Sequence, residues 1–261
     1  MRARFELFAA ASLIVVLCTA GGAAALKLLV AERERTTEQL GSTKTGGNYA
    51  AALGVTLAAK EKYGVDQVLF NNKLVFGATY FYQTFDDLIT FINRPDPEPD
   101  FENIQEAESQ GIELMALCKP GHGFTVGGNY TYLDTEVEDD GGVGGPSSPF
   151  EEGKDLLRRP EHTASGYINW AWNGFQIRID GLYVGERDDL DFRTFPANRV
   201  TMDDYFIVDL ATSYTFNLNQ RYIQDFKIFA KVENLFDEHY EEVFGFSPPD
   251  PSFRVGLAFK M

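Results

Sequence analysis

The final stretch of the chain, SFRVGLAFKM at residues 252–261, decides the fold class. Its large apolar side chains occupy every second position, at Phe253, Val255, Leu257, Phe259 and Met261. Successive side chains of a β-strand point to opposite faces, so this spacing makes one face wholly apolar, whereas the period of a helix would scatter the same residues. The stretch therefore predicts a half-buried β-strand.

The same period of two recurs through most of the chain. From about Gly64 onward we predict nine strands in which apolar residues alternate with polar or small ones. Several are longer than the roughly five or six residues usual in soluble proteins. A strand that crosses a bilayer needs about 9 to 11 residues. The predicted spans are 62–70, 73–91, 101–118, 122–138, 157–172, 175–188, 202–216, 224–238 and 252–261.

The connections between these strands alternate in length, as they do in outer-membrane barrels with short periplasmic turns and long extracellular loops. Short connections fall at 71–72, 119–121, 173–174 and 217–223, and long ones at 92–100, 139–156, 189–201 and 239–251. Aromatic clusters at 80–82, at Tyr130 and Tyr132, and at Trp170 and Trp172 suit the girdles of a membrane barrel. Core packing in a soluble β-sandwich would also use such residues.

Composition excludes two classes of protein. The chain has 261 residues, of which 44% are hydrophobic and 14% aromatic, with a formal net charge of −16. Its mean hydropathy of −0.22 excludes a protein built from many membrane-spanning helices. A nucleic-acid partner is excluded because phosphate binding requires clustered Lys and Arg.

The N-terminus predicts an export signal. Arg2 and Arg4 precede an apolar run, and small residues follow up to Ala25, which is the pattern of a cleaved signal peptide. The alternative for residues 1–25 is a membrane anchor, because about 20 mostly apolar residues can span a bilayer. Residues 26–60 are interpreted as a helix-leaning linker or remnant around GSTKTGG, and the strand-rich part occupies 61–261.

A family resemblance rests on four motifs in order. NLFDEHY at 234–240, followed by the terminal strand, resembles the C-terminal signature of TonB-dependent receptors. The stretches LVFGATYFYQTFDDLITF at 74–91, GFTVGGNYTYLDTEVE at 123–138 and LLRRPEHTASGYINW at 156–170 are similar to barrel segments of the same family. The resemblance covers residues 57–261. The family residues of the C-terminal motif would be Asn234, Leu235, Phe236, Asp237 and Tyr240.

The resemblance implies a barrel of about 22 strands, occluded by a plug, which imports siderophores, cobalamin or similar nutrient chelates with energy relayed by TonB. This chain has room for only the last nine strands. We therefore expect an all-β fold, an incomplete antiparallel transmembrane barrel with a helical N-terminal segment, in the outer membrane of a Gram-negative bacterium. As a receptor fragment it would not transport alone, and would engage TonB only if a plug is supplied elsewhere.

The terminal strand also resembles the signal read by the barrel-assembly machinery. Its polar, glycine, aromatic and hydrophobic positions would be Arg254, Gly256, Phe259 and Met261. An amphipathic last strand of any kind would look similar. The expected partners are thus outer-membrane lipid and the barrel-assembly machinery.

Catalysis, cofactors and bound metals have no support in the sequence. His122, His162 and His239 lie on separate segments without the spacing of zinc ligands, and no nucleophile motif occurs. Acidic clusters at 96–100, 136–140, 151–152 and 188–191 lack the spacing of a calcium loop and are interpreted as solvated loop surface. The chain is therefore not predicted to be an enzyme.

Two other functions remain open at this point. Strand edges could pair between copies of the chain and form an oligomeric outer-membrane pore or structural β-protein. The chain could also be a small secreted β-protein that binds a ligand.

Overall fold

The computed structural model describes residues 25–36, 56–91, 101–140, 151–194, 196–218, 224–248 and 250–260. Within these ranges the chain forms twelve β-strands. They are β1 (Ala25–Thr36), β2 (Thr56–Leu69), β3 (Leu74–Phe91), β4 (Phe101–Gly121), β5 (Phe124–Asp139), β6 (His162–Trp172), β7 (Phe175–Val184), β8 (Arg187–Asp191), β9 (Asn198–Met202), β10 (Tyr205–Asn217), β11 (Asp225–Glu233) and β12 (Ser252–Lys260). No helix among the described residues is long and apolar enough to cross a membrane.

Ten of the strands form one antiparallel sheet in the order β1-β2-β3-β4-β5-β6-β7-β10-β11-β12. Strands β8 and β9 form a separate hairpin inserted between β7 and β10. The tight turns at His122-Gly123 and Asn173-Gly174 have positive φ at both residues, as a two-residue type I′ hairpin turn requires. The strand ends that the short connections join lie at one end of the sheet, the short-turn end, and the strand ends that the long connections join lie at the opposite, long-loop end.

All nine predicted strands occur, but the N-terminal helix prediction is wrong where the structure describes it. Residues 25–36 form β1, and Thr56 to Lys60 belong to β2. Pairing between β1 and β2 satisfies the backbone groups of both strands, and this tertiary context overrides the local helix preference of LAAKEKY. The predicted signal segment, apart from Ala25, lies outside the described residues.

The tenth strand changes the topology expected from nine. Ala25 pairs with Val68, beside the short turn at Phe70 to Asn72. The last strand runs from Ser252 at the long-loop end to Lys260 at the short-turn end. Because the sheet has an even number of antiparallel strands, the chain enters β1 and leaves β12 at the same end of the described sheet, the short-turn end.

The register gives the sheet one apolar and one polar face. On β12 the side chains of Phe253, Val255, Leu257 and Phe259 are 57–68% exposed on the apolar face, and their β11 partners are Val232, Ala230, Ile228 and Phe226. Large exposed apolar surfaces are rare in soluble monomers and mark contact with lipid or another protein. Exposed apolar side chains also occur on the other strands, so the sheet has a lipid-like face from β2 to β12.

Aromatic side chains form a row at each end of the apolar face. Near the short turns, stacked pairs link neighbouring strands: Phe124–Trp170, Phe216–Phe226 and Phe226–Phe259 have centroids 6.0, 5.7 and 5.0 Å apart. Near the long loops, the Tyr130 hydroxyl lies 2.9 Å from His162 Nδ1. Phe124 and Tyr132 lie eight residues apart on β5, a span of about 27 Å at about 3.4 Å per residue. That separation suits a hydrocarbon band about 25 Å tall.

The expected girdle cluster at 80–82 is divided between the faces. Tyr80 and Tyr82 point to the apolar face, whereas Phe81 points to the polar face and is buried. A side chain at Gly111, its partner on β4, would overlap the Phe81 ring. Phe81 thus fills the space that the glycine leaves open, so Phe81 is wrong as a girdle residue.

Most of the deeply buried residues lie at the long-loop end. Ala107, Val137 and Leu190 are 1% exposed, and Met202 and Tyr205 are also buried. In the middle of the sheet the apolar face is exposed, and the side chains of the polar face are only partly buried. The packed core of the described residues is therefore formed by strand ends and loops.

Candidate functional site

An open pocket of about 710 Å³, lined by both polar and apolar groups, lies on the polar face, just below the long loops. Strands β5, β6, β7, β10 and β11 supply its wall, and the connection between β11 and β12 supplies its upper rim. Hydrogen-bonding groups come from Asn129, Ser165, Tyr167 and Tyr240, and charged groups from Arg178, Asp180, Asp209, Glu233 and Asp250. Such a concave wall with a few convergent polar groups is typical of a ligand-binding surface.

Ion pairs hold the charged groups of this wall in place. Three hydrogen bonds of 2.6–2.9 Å join the Arg178 guanidinium to the Asp180 carboxylate. The same guanidinium lies 4.0 Å from the centre of the Tyr167 ring, close enough for a cation–π interaction. The cation on the pocket wall is therefore already paired with a carboxylate.

A second ionic group joins the last three strands. Lys231 Nζ lies 2.8 Å from a Glu233 oxygen and 3.5 Å from an Asp209 oxygen. Glu233 also accepts hydrogen bonds from Ser252, at 2.6 Å, and from the Arg254 guanidinium. The carboxylates of β10 and β11 are therefore compensated by cations on β11 and β12.

Three long-loop segments pack together above the pocket, and we call them the loop layer: residues 151–161, the β8–β9 hairpin and residues 234–248. Residues 151–161 extend the pairing of β5 beyond β6, since the amide of Val137 donates to the carbonyl of Lys154 at 3.0 Å. Arg199 on β9 reaches the same segment, with Nη1 3.2 Å from the Asp155 carbonyl and 3.0 Å from Asp188 Oδ2. Burial raises the pKa of Asp155, as do the carboxylates around it.

Asp189 joins all three segments of the loop layer. Its side chain is completely buried. Arg158 Nε and the amide of Leu190 donate to Oδ1, both at 2.8 Å, and the amide of Phe244 donates to Oδ2 at 2.9 Å. The prediction that the acidic residues at 188–191 are solvated is therefore wrong for Asp189. A buried carboxylate is tolerated here because each oxygen has a donor.

The motif NLFDEHY turns the chain from β11 into the loop layer. Asn234 has a φ of 54°, and its side chain donates to the Glu238 carbonyl at 2.9 Å and accepts from the Glu238 amide at 2.8 Å. The Tyr240 ring then stacks on Tyr205, with centroids 4.4 Å apart. The Arg187 guanidinium lies over the Tyr205 ring, 5.3 Å from its centre, and donates a hydrogen bond to the Glu241 carbonyl.

Most motif residues have identifiable positions. Asn234 is buried, Leu235 and Phe236 are exposed at 40% and 71%, and Asp237 has a φ of 56°. On the terminal strand, Arg254 joins the Glu233 network, and the Phe229 ring covers Gly256. Phe259 lies in the aromatic row near the short turns, and Met261 lies outside the described residues. Arg187, Asp189 and Tyr205 were not singled out for a role in the site, because their partners come from distant segments.

The matching family profile is described as TonB dependent receptor-like, beta-barrel, and it covers residues 40–235. The chain belongs to the TonB-dependent receptor family. This assignment agrees with the motif resemblance, and it places the chain in the outer membrane of a Gram-negative cell. The family is one of receptors and transporters and not of enzymes, which is consistent with the lack of predicted catalytic residues.

Among relatives, a vitamin B12 transporter, BtuB, of Vibrio cholerae is 32% identical over 158 residues, covering 60% of this chain and 22% of the transporter. BtuB of Photobacterium profundum is 27% identical over 198 residues, covering 72% of this chain and 28% of the relative. The TonB-dependent receptor segment described here therefore spans less than a third of these proteins.

Solved structures share the fold of this TonB-dependent receptor segment. The ferric-catecholate import receptor Fiu of Escherichia coli superposes with a TM-score of 0.59 and 15% identity, over 90% of this chain and 32% of Fiu. The ferripyoverdine receptor of Pseudomonas aeruginosa gives a TM-score of 0.56 and 17% identity, over 77% of this chain and 27% of the receptor. At this level of identity the likeness concerns the barrel fold alone. The described sheet itself is open, with β1 and β12 at its edges.

The histidines and the remaining acidic residues are dispersed among the described elements. His122 occupies a turn, His162 packs against Tyr132 at the start of β6, and His239 is exposed. Carboxylate oxygens of Glu108, Glu136 and Glu138 approach within 4.8 Å of one another at the long-loop end. Oxygen ligands of this kind suit hard divalent cations, but acidic groups also gather on surfaces without an ion.

Proposed function

We propose that this chain supplies the C-terminal part of the barrel of an outer-membrane receptor that takes up a nutrient chelate, such as vitamin B12 or a ferric siderophore. The observation that carries the proposal is the combination of a lipid-like outer face with an open pocket under a fixed loop layer. In this arrangement the polar face lines the barrel interior. The short turns then lie in the periplasm, and the long loops lie outside the cell.

The described strands do not form a transport path by themselves. An open sheet leaves unpaired backbone groups at both edges, and each such group costs several kcal/mol in lipid. We infer that the remaining strands and a plug must come from another segment or chain, and that TonB acts only through that plug. The lipid bilayer and the barrel-assembly machinery are the other proposed partners. The latter would read Arg254, Gly256, Phe259 and Met261.

A chimera tests the proposal. Residues 74–261, from β3 to the C-terminus, would replace the corresponding C-terminal strands of the Vibrio cholerae vitamin B12 transporter, in cells that lack their own vitamin B12 transporter. We expect uptake of labelled vitamin B12, ferripyoverdine or a ferric catecholate that disappears in matched cells without TonB. A chimera that reaches the outer membrane in folded form and imports none of them would overturn the proposal.

The open edges favour a second candidate, an oligomeric pore in which β12 of one copy pairs with β1 of the next. Pairing between copies would satisfy the same backbone groups. Single-channel recordings of the purified chain in planar bilayers distinguish the two. Stable, uniform conductance steps support the pore, whereas irregular leakage or none supports a barrel part that needs other strands.

A further inference from the structure

We propose that this receptor segment selects against polyanionic ligands, so that its pocket receives a chelate without net negative charge. The inference rests on the proposed function and concerns the charge class of the ligand. It is carried by the compensated pocket wall and by the acidic mouth above it.

The pocket wall offers no free cation among the described residues. Arg178 is bound by Asp180, Lys231 by Asp209 and Glu233, and Arg254 by Glu233. Counting Asp250 on the rim, and Lys231 and Arg254 beside the pocket, the wall and its border have three cations against four carboxylates. A polyanionic ligand would meet a net negative wall whose cations are already paired with carboxylates, whereas a neutral ligand can use Asn129, Ser165, Tyr167 and Tyr240 as they stand.

The mouth above the pocket is strongly acidic. Residues 151–161, 185–204 and 234–251 together contain 15 Asp and Glu against 6 Lys and Arg. Three of the six basic residues are paired with carboxylates: Arg158 with Asp189, Arg193 with Asp191 and Arg199 with Asp188. Residues 234–251, which form the rim beside Tyr240 and Asp250, contain five carboxylates and no Lys or Arg.

The pocket wall and the acidic mouth both disfavour a negatively charged ligand. A cleft lined with one sign of charge concentrates ions of the opposite sign and repels ions of the same sign. A ligand carrying several negative charges would meet repulsion at the mouth and find no open cation at the wall. Chelates that are uncharged or cationic meet neither obstacle.

Ligand binding to outer-membrane vesicles that contain the full chain tests the inference. The probes are vitamin B12, which is uncharged, a linear ferric trihydroxamate with one positive charge, and a ferric tris-catecholate with three negative charges. At about 10 mM salt, where charges act over about 30 Å, we expect the trianion to bind at least about tenfold more weakly than the better of the other two. The difference should shrink as salt is raised.

Variants that neutralise charges distinguish the effect of the charges at the mouth from the effect of the total charge of the protein. Asp203→Asn with Glu242→Gln removes two exposed charges of the mouth that do not line the pocket, and it should strengthen trianion binding about threefold, while vitamin B12 binding stays the same. Glu136→Gln with Glu138→Gln removes two charges that face away from the pocket and should change neither.

Each outcome has one meaning. Trianion binding that equals or exceeds that of the other probes at low salt overturns the inference and leaves the proposed receptor function intact. Vesicles that bind none of the three probes above empty vesicles overturn the inference for this chain, whereas uptake by the chimera decides the proposed function separately. Quenching of a fluorophore at Phe246→Cys, in a Cys18→Ser, Cys118→Ser background, checks the potential separately: iodide quenching equal to caesium quenching would show that the mouth is not acidic.

Discussion

Arg158 and Asp189 form an ion pair of 2.8 Å that links two loops 31 positions apart in the chain, and the carboxylate end of this pair is fully buried. The second Asp189 oxygen holds the Phe244 amide. One side chain thus fixes the relative positions of three segments that rise from different strands. The loop layer behaves as one unit for as long as Asp189 keeps its bonds.

Replacing Asp189 with Ala should therefore open the loop layer. Loss of three hydrogen bonds to a charged acceptor is expected to lower the opening free energy by about 2–4 kcal/mol. Hydrogen exchange would report this as faster exchange at the Leu190 and Phe244 amides. Asp191→Ala is the matched control, because Asp191 bonds only to Arg193 within the same hairpin. Equal exchange in both variants would contradict the assigned role.

Asn234 should be sensitive to both conformation and hydrogen bonding. Asn234→Ala removes two side-chain bonds and replaces asparagine by a residue that tolerates positive φ less well, so we expect a loss of about 2–3 kcal/mol. Asn234→Gly removes the bonds but relieves the backbone, and should cost less. The midpoint of heat-induced unfolding on gels measures both. Leu235→Ala, at an exposed neighbour, should have little effect.

The stack of Tyr240 on Tyr205 should fail at alkaline pH. Burial raises the pKa of Tyr240, and the carboxylates of Glu242 and Asp209 raise it further. The neutral phenol is therefore favoured in the folded loop, so its contribution is present below the ordinary tyrosine pKa of about 10 and is lost as pH rises through the higher folded value. The difference in tyrosinate absorbance between the chain and Tyr240→Phe reports this titration, and Glu242→Gln should move it to lower pH. A titration at the ordinary value would contradict burial as its cause.

Variants at Gly256 distinguish packing against the Phe229 ring from recognition by the barrel-assembly machinery. A Cβ at this position would overlap the Phe229 ring, so Gly256→Ala should reduce the yield of folded protein in the outer membrane. If packing is the cause, adding Phe229→Ala should restore much of that yield. A defect that persists in the double variant would instead indicate that the assembly machinery reads the glycine itself. Phe229→Ala alone controls for the effect of losing the ring.

The period of two predicted the sheet well because membrane strands are long and each has one apolar face. It predicted β12 and its partner strand to within a few residues. It missed β1, where the run of Glu32, Arg33 and Glu34 gives no apolar alternation and the pairing is interrupted by register shifts. Such a strand forms because β2 offers it an edge, which no local pattern records.

The loop layer could not be read from the sequence for a similar reason. RDDLD on β8 has the composition of an exposed loop, yet Asp189 and Leu190 are among its most buried residues. Their burial depends on partners 31 and 55 positions away. Charge patterns in one segment cannot indicate contacts that exist only after three segments have met.

The order of the strands also constrains how the chain can fold. Each strand pairs with its neighbour in sequence, apart from the link between β7 and β10. Closing a short loop loses less chain entropy than closing a long one, so the sheet can grow one hairpin at a time without waiting for distant segments. The β8–β9 hairpin brings together the ends of the connection between β7 and β10, the longest one described. These two strands therefore have fewer chain conformations to search before they pair. Such a route favours rapid, stepwise assembly over collapse around a central nucleus.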